Sequence, residues 1–287
     1  MSSQSELFSW ENRIQEAREK GDPAAEARAQ VQAGKIALAR HQFQQAHHRY
    51  RRAFDLFSGC GLNQEAVRAA NHLAVCLILK NRPEEALAVL EPLSEGLDAA
   101  ENPDLTAAVT GNLGLAHTKM ENYTQGAACH KQALELGEKI GSSTLRLQAQ
   151  INLADCYLQE GRYRQAQGFA LVARDLARQL GSKRELVVVY DLLGMISARQ
   201  GDHQEAVRCH RRAYELAADL GDLHQQALSL GNQALSQEAL TNLEDARELL
   251  SRARDLFQSL NSNYLEKTER DLLRIRRSLG PGANDPS

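Results

Sequence analysis

Six small residues spaced forty apart constrain this chain more than any other feature. Gly34, Ala74, Gly114, Ala154, Gly194 and Ala234 recur with a period of 40 and no insertion. Twelve residues after each anchor stand Ala46, Ala86, Gly126, Ala166, Ala206 and Ala246. Nineteen after stand Ala53, Leu93, Ala133, Ala173, Ala213 and Ala253. A period between 20 and 50 residues is the mark of an array in which each unit buries its apolar face against the next. Small side chains at a helix contact let the two axes approach closely, so the anchor and twelve-on columns mark a tight contact within a helix pair.

The remaining columns place the turns. Nine after the anchor come Phe43, Pro83, Tyr123, Tyr163, His203 and Leu243, mostly bulky, at the start of a second helix. Asn81, Asn122, Gly161 and Gly201 lie just before them as turn residues. Twenty-seven after the anchor come Gly61, Glu101, Gly141, Gly181, Gly221 and Asn261. Glycine or asparagine there suits the left-handed position that ends a helix. Each unit therefore reads as helix, short turn, helix, glycine stop.

Composition agrees. The 41 alanines among 287 residues, against 14 aromatics and 6 prolines, favour helix over sheet. Many of those alanines fall in the small-residue columns. At 43% apolar and 25% charged the chain is not generically disordered.

Gly21 falls one period before Gly61, so residues 1–22 are expected to hold one flanking helix bearing Leu7, Phe8, Trp10 and Ile14. The array itself spans 23–261. Residues 262–280 begin a seventh first helix but are strongly charged, as a capping helix with a polar outer face must be. Residues 281–287 form a tail expected to be disordered. The second unit departs from the pattern. Pro92 interrupts its second helix, Glu101 replaces the glycine, and Asn102-Pro103-Asp104 adds a turn signal. A kink or early stop is expected there, while the unbroken register argues for one continuous array.

These columns resemble the tetratricopeptide repeat over roughly residues 24–261, and the unit from Gly111 to Ala133 carries the resemblance best. Units of 40 residues with Asn-Leu-Gly starts are similar to those of kinesin light chains, the LGN-type adaptors and bacterial peptide-sensing regulators. The resemblance implies an all-α, right-handed α-solenoid, a superhelix of about six helix-turn-helix repeats with end helices. It implies further that the first helices line a concave groove that grips a peptide.

Mapped by register, that groove would present Gln32, His72, Asn112, Asn152 and Asn232 two before the anchors. Asn71 and Asp191 lie in the column three before. Arg28, Lys35, Arg68, Lys119 and Arg199 add positive charge nearby, opposed by Asp155 and Asp191. An asparagine offers both donor and acceptor, so a ladder of them can pair with an extended backbone of any sequence. The same asparagines could instead pair with neighbouring helices. No lysine occupies the three-before column, so the lysine-and-asparagine clamp that holds chaperone C-termini is not recognisable.

Other chemistry finds little support. Cys129-His130 recurs as Cys209-His210, but adjacent helical residues do not face each other, which makes a poor metal or nucleophile pair. No GxxxxGK[ST] or GxGxxG occurs, and no cofactor is expected. Arg49-Tyr50-Arg51-Arg52 and Arg274–Arg277 are basic, yet a charge run is usually a solvated face, and the net charge is −3. Nucleic-acid binding is therefore not expected. Neither a signal peptide nor an apolar run long enough to span a bilayer is read, so no membrane insertion is expected. The five cysteines, odd in number and never in CxxC, read as buried fillers in a reduced, cytoplasmic setting. The expectation is a non-catalytic scaffold or adaptor that captures a peptide or helical segment of a protein partner. The alternatives are a peptide-sensing regulator and an accessory subunit of a larger complex. Nothing in the chain fixes an oligomeric state.

Overall fold

The computed structural model describes residues 3–280; the tail 281–287 lies outside them. Among the described residues the chain is all helix: α1 (Ser3–Glu19), α2 (Pro23–Ala39), α3 (Phe43–Gly59), α4 (Asn63–Leu79), α5 (Pro83–Glu95), α6 (Pro103–Lys119), α7 (Tyr123–Lys139), α8 (Ser143–Gln159), α9 (Tyr163–Gln179), α10 (Lys183–Arg199), α11 (His203–Asp219), α12 (Leu223–Ala239), α13 (Leu243–Ser259) and α14 (Leu265–Leu279). From Ser3 to Leu243, successive helices begin twenty residues apart. The 40-residue period is thus a pair of twenties.

Three residues make every connection except α5–α6 and α13–α14, and their hydrogen bonds show why three suffice. After α2, His41 takes φ 57°. The His41 amide donates to the Leu38 carbonyl, and the Gln42 amide to the Ala37 carbonyl. This is the Schellman arrangement, in which a left-handed residue returns two amides to the orphan carbonyls of the last turn. Gln42 is at the same time the N-cap of α3, so one residue closes one helix and opens the next. The pattern repeats at Asp202 and Asp222, whose carboxylates also accept from the Glu205 and Gln225 amides.

The left-handed position falls at Gly21, His41, Gly61, Asn81, Glu121, Gly141 and on through Asn261, again in steps of twenty. In the third unit this residue is Glu121, and the turn residue Asn122 follows it as the N-cap of α7. Glu101 lacks the positive φ because the helix before it has already ended. With Pro92 inside, α5 stops at Glu95 after 13 residues, whereas its counterparts run for 17.

Packing within each pair follows a size rule. Sixteen residues after each anchor stand Tyr50, Leu90, His130, Ala170, His210 and Leu250, all buried. The three glycine anchors face the three rings. A Cβ on Gly34 would lie 2.9 Å from the Tyr50 ring, and one on Gly114 or Gly194 would lie 2.5 Å from the imidazole of His130 or His210. The alanine anchors 74, 154 and 234 stand where the facing residue is aliphatic.

The chain divides into two compact units, Met1–Asn152 and Leu153–Ser287, the division falling inside α8. In the first unit Ile14 packs with Ala29 and Ala33, Ala53 and Phe57 with Ala27 and Ala69, and Leu90 with Ala74 and Val109. In the second, Leu250, Ala253 and Phe257 of α13 pack with Ala227 and Leu230 of α12 and with Leu272 and Ile275 of α14. Most outward residues of α14 are charged, with Leu273 and Ser278 exposed among them. The cysteines do not all sit inside: Cys76, Cys156 and Cys209 are buried, but Cys60, at the C-cap of α3, is exposed.

Candidate functional site

The first helix of each pair presents residues at spacings of three and four, which puts Arg28, Gln32 and Lys35 on one face of α2 and Arg68, Asn71 and His72 on the matching face of α4. In the first unit, Arg28, Lys35 and Arg68 are exposed, and Gln32, His72 and Asn112 are half-buried. Arg68 Nη2 lies 3.2 Å from Asp104 Oδ2 of α6, a solvated pair. Arg28 and Lys35 make no ion pair with another described residue, and Lys119 stays exposed in the last turn of α6.

The asparagines are brought together in one place. Asn112 Nδ2 donates to Asn71 Oδ1 at 2.8 Å across the α4–α6 contact. That bond uses one end of each amide and leaves Asn71 Nδ2 and Asn112 Oδ1 with bonding capacity. Asn152, buried on α8, instead receives Gln148 Nε2 on its Oδ1 at 3.0 Å.

His72 stacks on Tyr50 with ring centroids 5.0 Å apart. Burial first, and then the nearby Lys35 and Arg68, push its pKa down to about 4. The imidazole is therefore neutral near pH 7 and adds no charge to the face that carries Arg28, Lys35 and Arg68.

In the second unit the same columns behave differently. Asp191 is buried on α10; its Oδ1 meets His210 Nδ1 at 2.9 Å and its Oδ2 accepts from Ser229 Oγ at 2.7 Å. A groove residue by register is thus the centre of a three-helix polar network. Asp155 accepts from Gln159 one turn on, Arg199 is exposed at the end of α10, and the Asn232 carbonyl accepts from Ser236 Oγ. Val188 on α10 and Leu235 on α12 are exposed. The network had a sequence signal: His210 lies nineteen residues after Asp191 and Ser229 thirty-eight after it, the offsets that join neighbouring helices throughout the array.

The two Cys-His repeats turn their histidines inward, each over a glycine anchor. Among the described residues no group of three or more His, Cys, Asp or Glu is placed to hold a metal ion. The basic run at 49–52 is spent on structure. Tyr50 is fully buried, Arg49 pairs with Glu11, Arg51 with Asp55 and Arg52 with the buried Glu26. Among the described residues no helix is long and apolar enough to cross a membrane.

Comparison with solved structures places this architecture. A Rap protein complexed with Competence and Sporulation Factor superposes with a TM-score of 0.70 at 16% identity, covering 93% of this chain and 79% of that one. The apo quorum sensor NprR from B. thuringiensis gives 0.65 at 15% identity, with 98% and 82% covered. A putative kinesin light chain from Podosopora anserina, built of nearly identical TPR-like repeats, gives 0.53 at 20%, with 66% and 94% covered. At such identities the likeness establishes the fold, an all-α repeat solenoid, and no more. A search of curated proteins finds no match. Residues 105–179 and 185–259 match one tetratricopeptide-repeat pattern and residues 24–92 match a second. The chain belongs to the tetratricopeptide-repeat family.

Proposed function

We propose that this protein is a non-catalytic scaffold or adaptor, cytoplasmic, whose first-helix face in unit Met1–Asn152 takes up an extended segment of a protein partner. The Asn71–Asn112 pair carries the reading. Two amides from successive repeats stand 2.8 Å apart on a half-buried face, each with one end uncommitted, and this is the chemistry that reads a peptide backbone without regard to sequence. Exposed Arg28, Lys35 and Arg68 bias the choice toward acidic partners. Neutral His72 neither adds to that charge nor cancels it. A peptide-sensing regulator would use the same face, and the fold likeness to a Rap protein solved with a bound factor favours it as the second reading.

The test is an affinity capture with the intact chain and with a Lys35→Ala/Asn112→Ala double variant. Both residues are at least partly exposed, so the melting temperature should hold while the captured partner is lost. Equal loss of melting temperature and capture would assign the asparagines a structural role and sink the reading.

A further inference from the structure

We propose that the recess between α1 and α2 is an open seat for a helix of a partner protein, one that carries an acidic residue three places before a glycine. This contact is additional to the groove proposed above.

The helix α1 stands as the second half of a pair. Gly21 takes the left-handed turn after it, as Gly61 does after α3. Arg49 Nη2 reaches from α3 to Glu11 Oε1 of α1 at 3.0 Å, across thirty-eight residues. Arg252 of α13 meets Tyr214 of α11 at the same separation and distance. Among the described residues no first helix precedes α1. The surface that a first helix covers in the other pairs is here a recess of about 340 Å³, whose lining includes Trp10, Arg13, Ala17, Ala25, Arg28 and Ala29.

Unit Leu153–Ser287 shows how such a surface is filled. Five periods after Trp10, Arg13, Ala17 and Ala29 stand His210, Ala213, Ala217 and Ser229, all buried. There α10 supplies Asp191, whose carboxylate meets His210 Nδ1 at 2.9 Å and Ser229 Oγ at 2.7 Å. Three residues on, Gly194 lets the ring lie close. A helix seated the same way on α1 and α2 would bring its acidic side chain to Trp10 and Arg13. Trp10 puts an indole, whose N–H can only donate, in the column where His210 stands. That ring is larger than the phenol and imidazoles that face glycine elsewhere, so the same size rule asks for glycine over it.

Charge points the same way. Arg13 lies 4.3 Å over the Trp10 ring, and neither it nor Arg28 makes an ion pair with another described residue. The acidic groups beside them are engaged. Glu16 stands 4.0 Å from Lys20 Nζ, and Asp22 caps α2 by accepting from the Ala25 amide at 2.9 Å. Two uncommitted guanidinium groups thus flank a floor of three alanines, and small side chains let a helix axis approach closely. The end helix of a second copy does not fit. Where α10 reads Asp191-Leu-Leu-Gly194, α14 reads Asp271-Leu-Leu-Arg274, which keeps the acid but sets an arginine against the ring.

Trp10 is the chain's one tryptophan, so its emission reports on this seat. The full-length protein is titrated with a 17-residue alanine- and glutamine-based helical peptide, free of tryptophan and tyrosine, with aspartate and glycine placed as in α10. Emission should shift saturably to the blue. Asparagine in place of the peptide's aspartate should weaken binding about tenfold or more, the loss of one charge-assisted hydrogen bond. Arg13→Glu in the protein should do the same and leave the melting temperature unchanged, since Arg13 is exposed. Leucine in place of the peptide's glycine should also weaken binding, by overpacking against the ring. Emission that ignores the peptide overturns the seat, as does equal binding of the three peptides or an Arg13→Glu protein that binds like the wild type. A blue shift on raising protein concentration alone, with doubled mass in sedimentation, would put a second copy there and overturn the partner helix. Lys35→Ala/Asn112→Ala should titrate like the wild type. Loss of its response would place the peptide in the groove instead and overturn the seat. Unimpaired partner capture by that variant, beside a normal titration, would sink the groove reading alone.

Discussion

Gly194 lies so close beneath His210 that a Cβ on it would stand 2.5 Å from the imidazole Cε1. The anchor is glycine because the facing residue is a ring, and alanine where the facing residue is aliphatic. Gly114→Ala should therefore destabilise the fold by about 1–3 kcal/mol through overpacking. His130→Leu in the same chain should recover part of that loss, since Ala74 with Leu90 already shows the combination packing in one core. Urea unfolding of the two single variants and the double gives the coupling energy. Additive losses would show that the size rule is coincidence.

The buried carboxylate at Asp191 joins three helices, and its removal leaves two orphans. Asp191→Ala strands His210 Nδ1 and Ser229 Oγ in the core of the second unit. The expected cost is about 2–4 kcal/mol, from two buried polar groups left without a hydrogen-bond partner. Asp191→Asn, which retains the shape, should cost less. A shift in urea midpoint below about 1 kcal/mol for Asp191→Ala would mean the network is solvated in solution.

Much of this architecture was legible in the sequence because the physics that fixes it is local and repeated. Column residues such as Ala46 and Gly61 declare close packing and left-handed turns wherever they recur. The predicted start of each second helix, at Phe43, Tyr123 or His203, coincides with its first helical residue. The twenty-residue half-period was harder to see, because His41, Glu121 and Thr241 adopt a left-handed backbone without glycine to announce it. At the site, register placed Asn71 and Asn112 on one face but could not reveal their mutual bond. Nor could it separate Asp191, turned inward to His210, from Asp155, which stays at the surface. Those differences depend on what the facing helix offers, and that is a pairwise property.

Thr241 holds a φ of 63°, a conformation that a β-branched side chain resists. Thr241→Gly should stabilise the protein by about 1 kcal/mol, the approximate cost of a left-handed L-residue less the entropy glycine loses on folding. Its Oγ1 bonds only the carbonyl of neighbouring Leu240, an exposed contact that is cheap to lose. Thermal denaturation checks the sign. A lower melting temperature would show that the side chain contributes more than the strain removes.

Two histidines set an acid limit on stability. Burial holds His130 at about 4, and burial together with Lys35 and Arg68 holds His72 at about 4. An unfolded histidine titrates near 6.5, so between these values the unfolded chain binds protons that the folded one refuses. Stability should be level above about pH 7, fall as pH drops from 6.5 to 4, and lose roughly 2–3 kcal/mol for His130 alone. His130→Phe, a ring like the Tyr50 that already faces a glycine anchor, should flatten part of that slope. Glu26 acts lower down. Burial would raise its pKa, but hydrogen bonds from Arg52 and Arg18 outweigh it, so its contribution survives until the carboxylate protonates. Urea midpoints from pH 8 to 4 measure the slope, and a flat profile would contradict the burial that lowers both pKa values.

The early end of α5 has a dynamic consequence. Pro92 removes an amide from the last turn, the helix stops at Glu95, and Gly96 donates back to the Pro92 carbonyl. Between there and α6, Glu95, Gly96 and Asp98–Glu101 are exposed. The Ala100 amide is held by the Asp98 side chain and the Asn102 amide by its carbonyl. Only Leu97 reaches the core beside Leu90. Backbone with so few buried contacts opens at little cost, so amides 96–101 should exchange with an opening free energy of about 0–1 kcal/mol, against several in the middle of α7. Pro92→Ala restores the missing donor and should extend protection toward residue 99, where the other second helices end. Uniform protection from 92 to 104 in the wild type would mean that proline is not what shortens this helix.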